Sequence, residues 1–276
     1  VITNNNDSTF NNHGTTSGTT PGGTILGLAW GVLPYTLATL NDALSAGSET
    51  LNNYLTISSN LIIPVGKTLT IDPNVTLTID NDGTITNNGT IANNGTITNG
   101  DGTITNNGII TNNDTFNNHG TTSGTTPVGT ILGLAWEDTP YDLATLNNAL
   151  SDGSVTLNNY LTISSGSVLI PSGKTLTIAP NVTLTIDNGG TITNNGTLAN
   201  LGAIENDGTI NNHGTTSGTD PLGTILRLDW RVDPYSLSTL NTALSTTDVT
   251  LNNNLTIHMD EYLNIPSGKT LTLGSG

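Results

Sequence analysis

From Ile57 onward an apolar residue recurs every six to eight positions, at Ile57, Ile63, Ile71, Ile79, Ile85, Ile91, Ile97, Ile104, Ile110 and Phe116. Between them stand Asn-Asn-Gly, Pro-Asn or Pro-x-Gly, which are turn formers because Asn and Gly tolerate positive φ and Pro fixes its own. Strands so short leave no room for hairpins of ordinary length. The chain is expected to coil instead, turning a corner at each Asn-Gly. Every third strand gives the coil length: Ile57 to Ile79 and Ile63 to Ile85 are each 22 residues. Ile85 to Ile104, Ile91 to Ile110 and Ile97 to Phe116 are each 19. Coils of that size would stack Ile over Ile at the strand spacing of ~4.8 Å. An apolar column inside and Asn ladders at the corners are expected.

A longer repeat is superimposed on the short one. Residues 9–21, Thr-Phe-Asn-Asn-His-Gly-Thr-Thr-Ser-Gly-Thr-Thr-Pro, return unchanged at 115–127 and in near-identical form at 210–221. A Gly-Thr-Ile-Leu segment comes after each copy and leads to Trp30, Trp136 or Trp230, then to Pro34-Tyr35, Pro140-Tyr141 or Pro234-Tyr235. The steps between equivalent histidines are 119−13 = 106 and 213−119 = 94 residues. After each Pro-Tyr, leucines at Leu37, Leu40, Leu44, at Leu143, Leu146, Leu150 and at Leu237, Leu240, Leu244 predict one short helix per unit. Thr36, Asp142 and Ser236 are the expected N-caps, since each side chain can accept from a free N–H of the first turn. Gly47 and Gly153 are expected to close the first two helices, and Thr246-Thr247 the third.

The chain thus reads as residues 1–34, the end of a preceding unit with its Trp segment; 35–140, unit one, a helix and then coils; 141–234, unit two; and 235–276, the incomplete start of unit three. Unit two runs through Ile192, Leu198, Ile204 and Ile210 and rejoins the His motif about two strands early. In a three-sided coil that loss rotates the later strands by a third of a turn, whereas a two-sided coil absorbs it; three sides are preferred. Both ends of the row fall inside the strand-rich part of a unit, which would expose apolar core and strand edges and favour pairing with another copy.

Charge narrows the partners. Five Lys and Arg stand against 21 Asp and Glu, a net charge of −16. Nucleic acid and anionic lipid would repel such a chain, and Lys67, Lys174, Arg227, Arg231 and Lys269 are too scattered to form a patch. There is no cysteine, and a solenoid with a long stacked core does not need one. No apolar run approaches the ~18 residues of a membrane span, so membrane insertion is not expected. The row opens without an initiator Met or a signal peptide, so the chain reads as processed or as a piece of something longer. Export and then processing, and a secreted, extracellular or cell-surface location, are the expectation.

The runs at residues 66–71 (Gly-Lys-Thr-Leu-Thr-Ile) and 74–79 (Asn-Val-Thr-Leu-Thr-Ile), the Asn-Asn-Gly-Thr-Ile hexads from Asn87, and their recurrences at 173–178, 181–186 and 194–198 carry a resemblance. On these residues the chain resembles right-handed β-helix repeat surface proteins, the haemagglutinin-like and adhesin-like β-solenoids of bacteria. The resemblance covers about two thirds of the row and leaves out the Trp-Pro-Tyr-helix segments. It implies an all-β, right-handed, three-sided β-solenoid of tandem units of roughly a hundred residues, each with one short helix.

Polysaccharide lyases share this fold class, but their elimination chemistry needs an Arg or Lys base beside carboxylates that hold calcium. Arg227 and Arg231 are the chain's arginines and both lie in one unit, without counterparts in its sisters. No Ser/His/Asp set or Cys nucleophile is apparent. No catalytic, cofactor-binding or metal residue is assigned, no cofactor is expected, and the chain is expected not to be an enzyme. His13, His119 and His213 read either as a metal site shared between units or, preferably, as corner residues hydrogen-bonded to turns. Asp80, Asp82 and Asp101 lie in loops that faintly resemble calcium loops without completing a ligand set, and Asp187 stands in a weaker copy. Solvated turn carboxylates are preferred. Outward Thr-x-Thr ranks such as Thr76-Leu77-Thr78 look like the ice-binding face of antifreeze solenoids, yet Thr also simply suits exposed strands. Sequons begin at Asn6, Asn74, Asn88, Asn94, Asn113, Asn181, Asn195 and Asn254, a number expected by chance in so Asn-rich a chain. Six Asn-Gly pairs, starting at Asn88-Gly89, are prone to deamidation and argue against a very hot habitat. The leading expectation is an extracellular structural filament or surface fibre whose partner is itself, stacked head to tail. An adhesin stalk comes second and a carbohydrate-binding or carbohydrate-active β-helix protein third, with cell-surface glycans as the secondary partner.

Overall fold

The structure, a computed structural model, describes residues 9–18, 20, 24–29 and 31–274. Trp30, Pro21, Asn6 and the opening residues 1–5 lie outside the described residues. The chain is mostly β, with three short helices and parallel stacked sheets that form a β-solenoid. It divides between Pro140 and Tyr141 into two compact units.

In the first unit the strands after the helix fall into three parallel ladders, each strand pairing with the third one along until Thr115–Asn118, whose partner Leu132–Gly133 is the second strand after it. The first ladder holds Glu49–Leu51, Thr68–Ile71, Thr90–Asn93 and Ile109–Asn112. The second holds Leu55–Ile57, Thr76–Ile79, Thr96–Asn99, Thr115–Asn118 and Leu132–Gly133. The third holds Asn60–Ile63, Thr84–Asn87, Thr103–Asn106 and Thr121–Gly124. A four-residue strand has two inward positions and two outward ones, because side chains alternate across it. Thr76–Ile79 shows the pattern: Leu77 and Ile79 are buried while Thr76 and Thr78 are half-buried. Burying an Ile or Leu side chain is worth about 1.5–3 kcal/mol, so the column supplies the main driving force.

The expected stacking holds for Ile57 on Ile79, Ile85 on Ile104, Ile91 on Ile110 and Ile97 on Phe116. It fails for one pair. Ile85 lies over Leu61, and Ile63 lies over Asn87. The reason is that Ile63 fills the second inward position of its strand and Ile85 the first. The true coil there is 85−61 = 24 residues, long because its corners carry Pro64-Val65-Gly66 and Asp80-Asn81-Asp82-Gly83. Later coils tighten to 91−69 = 22, 97−77 = 20 and 104−85 = 19 residues.

Tightening coincides with a change of core chemistry. The second inward position is Ile in the strands of Ile57, Ile63, Ile71 and Ile79, then Asn at Asn87, Asn93, Asn99, Asn106, Asn112 and Asn118. These amides are buried, and they bond from coil to coil: Asn87 Nδ2 donates to Asn106 Oδ1 at 2.7 Å, Asn93 to Asn112 at 2.6 Å and Asn99 to Asn118 at 2.9 Å. Asn93 Nδ2 also reaches Thr115 O at 2.8 Å, and its Oδ1 accepts from Gly95 N at 3.2 Å. The side chain thereby closes the next corner of the coil. The glycines there are not in the left-handed region, contrary to the expectation for Asn-Gly turns. Positive φ belongs instead to Asn74 and Asn181 (63° each) and to Gly66 and Gly173 (76° each). At Gly89 a Cβ would collide with the carbonyl oxygens of Lys67 and Pro64, and at Gly95 with those of Asp72 and Val75. Glycine is required at these corners because one coil rests directly on the next.

The second unit repeats the scheme. Its first ladder is Val155–Leu157, Thr175–Ile178, Thr197–Asn200 and Thr215–Gly218. The second and third ladders merge where Leu161–Ile170 and Thr183–Asn194 run unbroken round their shared corner. Ala203–Asn206 then pairs with the second ladder, and Thr209–Asn212 with the third. The His motif therefore begins on the second ladder in one unit, with Phe116 on Ile97, and on the third in the other, with Ile210 on Ile192. Two missing strands have moved it by one ladder.

Helices α1 (Leu37–Ala46), α2 (Leu143–Asp152) and α3 (Leu237–Leu244) stand where the leucine spacing puts them. Each begins with a capping box on Thr36, Asp142 or Ser236. Gly47 and Gly153 donate to Ala43 O and Ala149 O at 2.8 Å with negative φ, and α3 ends at a Ser245 cap. Leu40 and Leu44, like Leu146 and Leu150, are buried in the same cores as the first coils.

Candidate functional site

The residues that recur with function-like regularity build a joint, where a helix-led segment meets the coils around it. Asn41 on α1 donates to Asn60 O at 2.8 Å and accepts from Ile62 N at 3.0 Å, taking the place of a neighbouring strand. Asn147 does the same to Ser167 O and Leu169 N, and Asn241 to Tyr262 O and Asn264 N. Ser48, Ser154 and Asp248 accept from Thr68 N, Thr175 N and Thr270 N at the edge of the next strand. Unpaired strand edges invite foreign strands; here side chains of the same chain occupy them. The three lysines have a common task. Lys67, Lys174 and Lys269 donate to Ala46 O, Asp152 O and Thr246 O at the helix C-termini, where the macrodipole favours a cation.

A second clamp holds the Pro-Tyr turn. Buried Asn53 accepts from Tyr35 N at 2.8 Å and donates to Tyr35 O at 3.1 Å and Tyr54 O at 2.8 Å. Asn159 and Asn253 reproduce this on Tyr141 and Tyr235. Sequence reasoning missed these residues, although Leu-Asn-Asn recurs at residues 51–53, 157–159 and 251–253 and could have flagged them. Upstream, Asn12, Asn118 and Asn212 donate to Leu28 O, Leu134 O and Leu228 O at 2.8, 3.0 and 3.1 Å, seating three buried leucines. Trp136 Nε1 donates to Gly124 O at 3.0 Å, and its ring meets Phe116 edge-on at 6.3 Å.

The histidines complete the joint. His13 Nδ1 lies 3.2 Å from Asn52 O and its ring stacks on Tyr54 at 4.5 Å. His213 lies beside the equivalent Asn252, but its Nδ1 is buried without a hydrogen-bond partner; burial, then the Arg227 charge, hold its pKa below the ordinary value. Asn254 stands in place of Tyr54 and reaches Asn195 Oδ1 at 3.4 Å. His119 is buried near Asp101, whose carboxyl is pushed up by burial against the lowering effect of His119. Among the described residues no group of three or more His, Cys, Asp or Glu side chains could hold a metal ion. Asp187 accepts from Ser164 Oγ at 2.9 Å. Arg231 pairs with exposed Asp220 rather than entering a cleft with Arg227.

Threonines stand in register on every ladder of the first unit, as Thr76-Thr96-Thr115 and Thr56-Thr78-Thr98 on the second and Thr84-Thr103-Thr121 on the third. On the first ladder Thr68 and Thr90 give way to Ile109. Tyr54, Leu55, Thr56, Thr76 and Thr78 line a shallow groove of about 290 Å³. Among the described residues no helix is long and apolar enough to cross a membrane. Compared with known protein families, with curated proteins and with solved structures, the chain matches none.

Proposed function

We propose that this chain is a non-enzymatic structural repeat protein of the extracellular space or cell surface, and that its units add end to end into a filament or fibre. The observation that carries this reading is that one joint recurs with the same residue types: Asn53, Asn159 and Asn253 clamp Tyr35, Tyr141 and Tyr235, and His13 and His213 stand beside Asn52 and Asn252. A joint between the end of one sequence repeat and the start of the next is heterologous, and such contacts propagate instead of closing. Repeat architectures gain stability from each added neighbour in the same way. We read the coil as right-handed and three-sided; the three-strand pairing period and the one-ladder shift of the His motif support three sides.

Electron microscopy of concentrated protein tests the reading, with light scattering alongside. Fibres of indefinite length are expected. Tapered spikes anchored on cells would favour the stalk of an adhesin, and monomers of uniform mass at high concentration would overturn self-stacking. The groove of Tyr54 beside threonine hydroxyls favours one further reading, a weak carbohydrate contact, because sugars stack on exposed aromatic rings and hydrogen-bond hydroxyls. Binding on a glycan array that Tyr54→Ala abolishes would support it.

A further inference from the structure

We infer that Asn188 is a site of spontaneous deamidation in the folded protein, and that the buried asparagines of the coils shield the other Asn-Gly pairs. The pairs begin at Asn88, Asn94, Asn99, Asn107, Asn188 and Asn195. In the reaction the backbone nitrogen of the glycine loses its proton and bonds to Cγ of the asparagine. The Cγ–Nδ2 bond breaks and ammonia leaves. Water then opens the succinimide ring to aspartate or isoaspartate. A nitrogen held by a neighbouring side chain, or an amide held along the stack, slows that meeting.

At four corners the nitrogen is held. Gly89 N, Gly95 N, Gly108 N and Gly196 N donate to Asn87, Asn93, Asn106 and Asn194 Oδ1 at 3.2, 3.2, 3.3 and 3.1 Å. Gly100 N donates to Ile79 O at 3.0 Å, and Asn99 itself is buried with its Nδ2 on Asn118. Electrophiles are held as well: Asn88 Oδ1 accepts from Asn107 Nδ2 at 3.0 Å and Asn94 Oδ1 from Asn113 Nδ2 at 2.9 Å. These bonds turn the outer amides along the stack, away from their own backbone.

Asn188 differs. Ile186 pairs with Ile163 and Gly189 with Ser165, so Asp187 and Asn188 together face Ser164 alone. That is a β-bulge, where the ladder is locally disrupted. The side chain of Asn188 is exposed and makes no hydrogen bond among the described residues. Asp187 occupies the place where a buried Asn precedes the pairs at Asn88, Asn94, Asn107 and Asn195; the Asn99 pair follows Thr98, but there Asn99 is itself buried.

Peptide mapping by mass spectrometry, after incubation at mildly alkaline pH in buffer and in urea, decides the matter. In buffer Asn188 is expected to convert at least ~10-fold faster than Asn88 or Asn94, the factor set by breaking a single protective hydrogen bond. In urea all the pairs are expected to convert at similar rates. Asn188→Gln should remove the conversion seen in buffer while amide exchange shows the coils intact. Equal rates at Asn88 and Asn188 in the folded chain would overturn the inference, as would a slow Asn188.

Discussion

Asn93 joins three parts of the structure through one side chain: the Asn112 amide of the next coil, the carbonyl of Thr115 and the N–H of Gly95. Replacing it by Ala leaves buried polar groups without partners, which costs about 1–3 kcal/mol for each group. Asn93→Ala should therefore destabilise the first unit by about 3 kcal/mol or more, comparable to Ile91→Ala at about 2–5 kcal/mol, as read by urea unfolding. Tyr35 allows a pH test. Its hydroxyl donates to Glu49 Oε2, and that bond, then burial and the Glu49 charge, push the phenol from 10.0 to about 12. The folded state thus retains the proton that the unfolded state releases. Its contribution is complete below pH 10.0 and lost as pH rises toward about 12. A phenolate absorbance titration should show Tyr35 moving back toward its ordinary value in Glu49→Gln. The Ile column was legible in the sequence because apolar spacing reports burial directly. The inward Asn column was not, since Asn beside Gly reads as a turn residue and nothing in the local pattern says that the first Asn of each pair points inward.

At the scale of elements, three helices with three different N-caps form an internal comparison. Thr36→Ala should cost about 1 kcal/mol and fray the first turn of α1. Asp142 behaves differently in acid. Hydrogen bonds from the Thr145 backbone, then the Thr145 side chain, hold its carboxyl below the usual 3.8. Its capping is present above that value and lost as pH falls through the depressed pKa. Amide exchange at low pH should show α2 opening at its N-terminus before α1 and α3, whose caps are hydroxyls. Helix positions and caps were legible because both are set within one or two turns of chain. The docking of Asn41 on Ile62 and of Asn53 on Tyr35 spans 18–21 residues and keeps to no apolar period. Only the recurrence of Asn at matching places could have signalled it.

Over the whole molecule, the core of each unit changes along its length. In the first unit, aliphatic pairs such as Leu69 with Ile71 and Leu77 with Ile79 give way to Ile–Asn pairs such as Ile104 with Asn106. Less apolar area is buried per strand at the Asn end. Amides of Thr103–Asn106 and Ile109–Asn112 are therefore expected to exchange sooner than those of Thr68–Ile71 and Thr76–Ile79, which would place the most persistent structure beside the helix. Uniform protection along the ladders would contradict this. The length of the coil ending at Ile85 escaped sequence reasoning, 22 residues expected against 24 found, because both inward positions of the early strands are apolar and cannot be told apart by spacing. The shift of the His motif from second to third ladder has a consequence for length variation. With a pairing cycle of three, gaining or losing strands by threes lengthens a repeat yet keeps its exit in place. Any other change hands the exit to a different ladder, so segment length in such a chain selects a ladder as well as an amount.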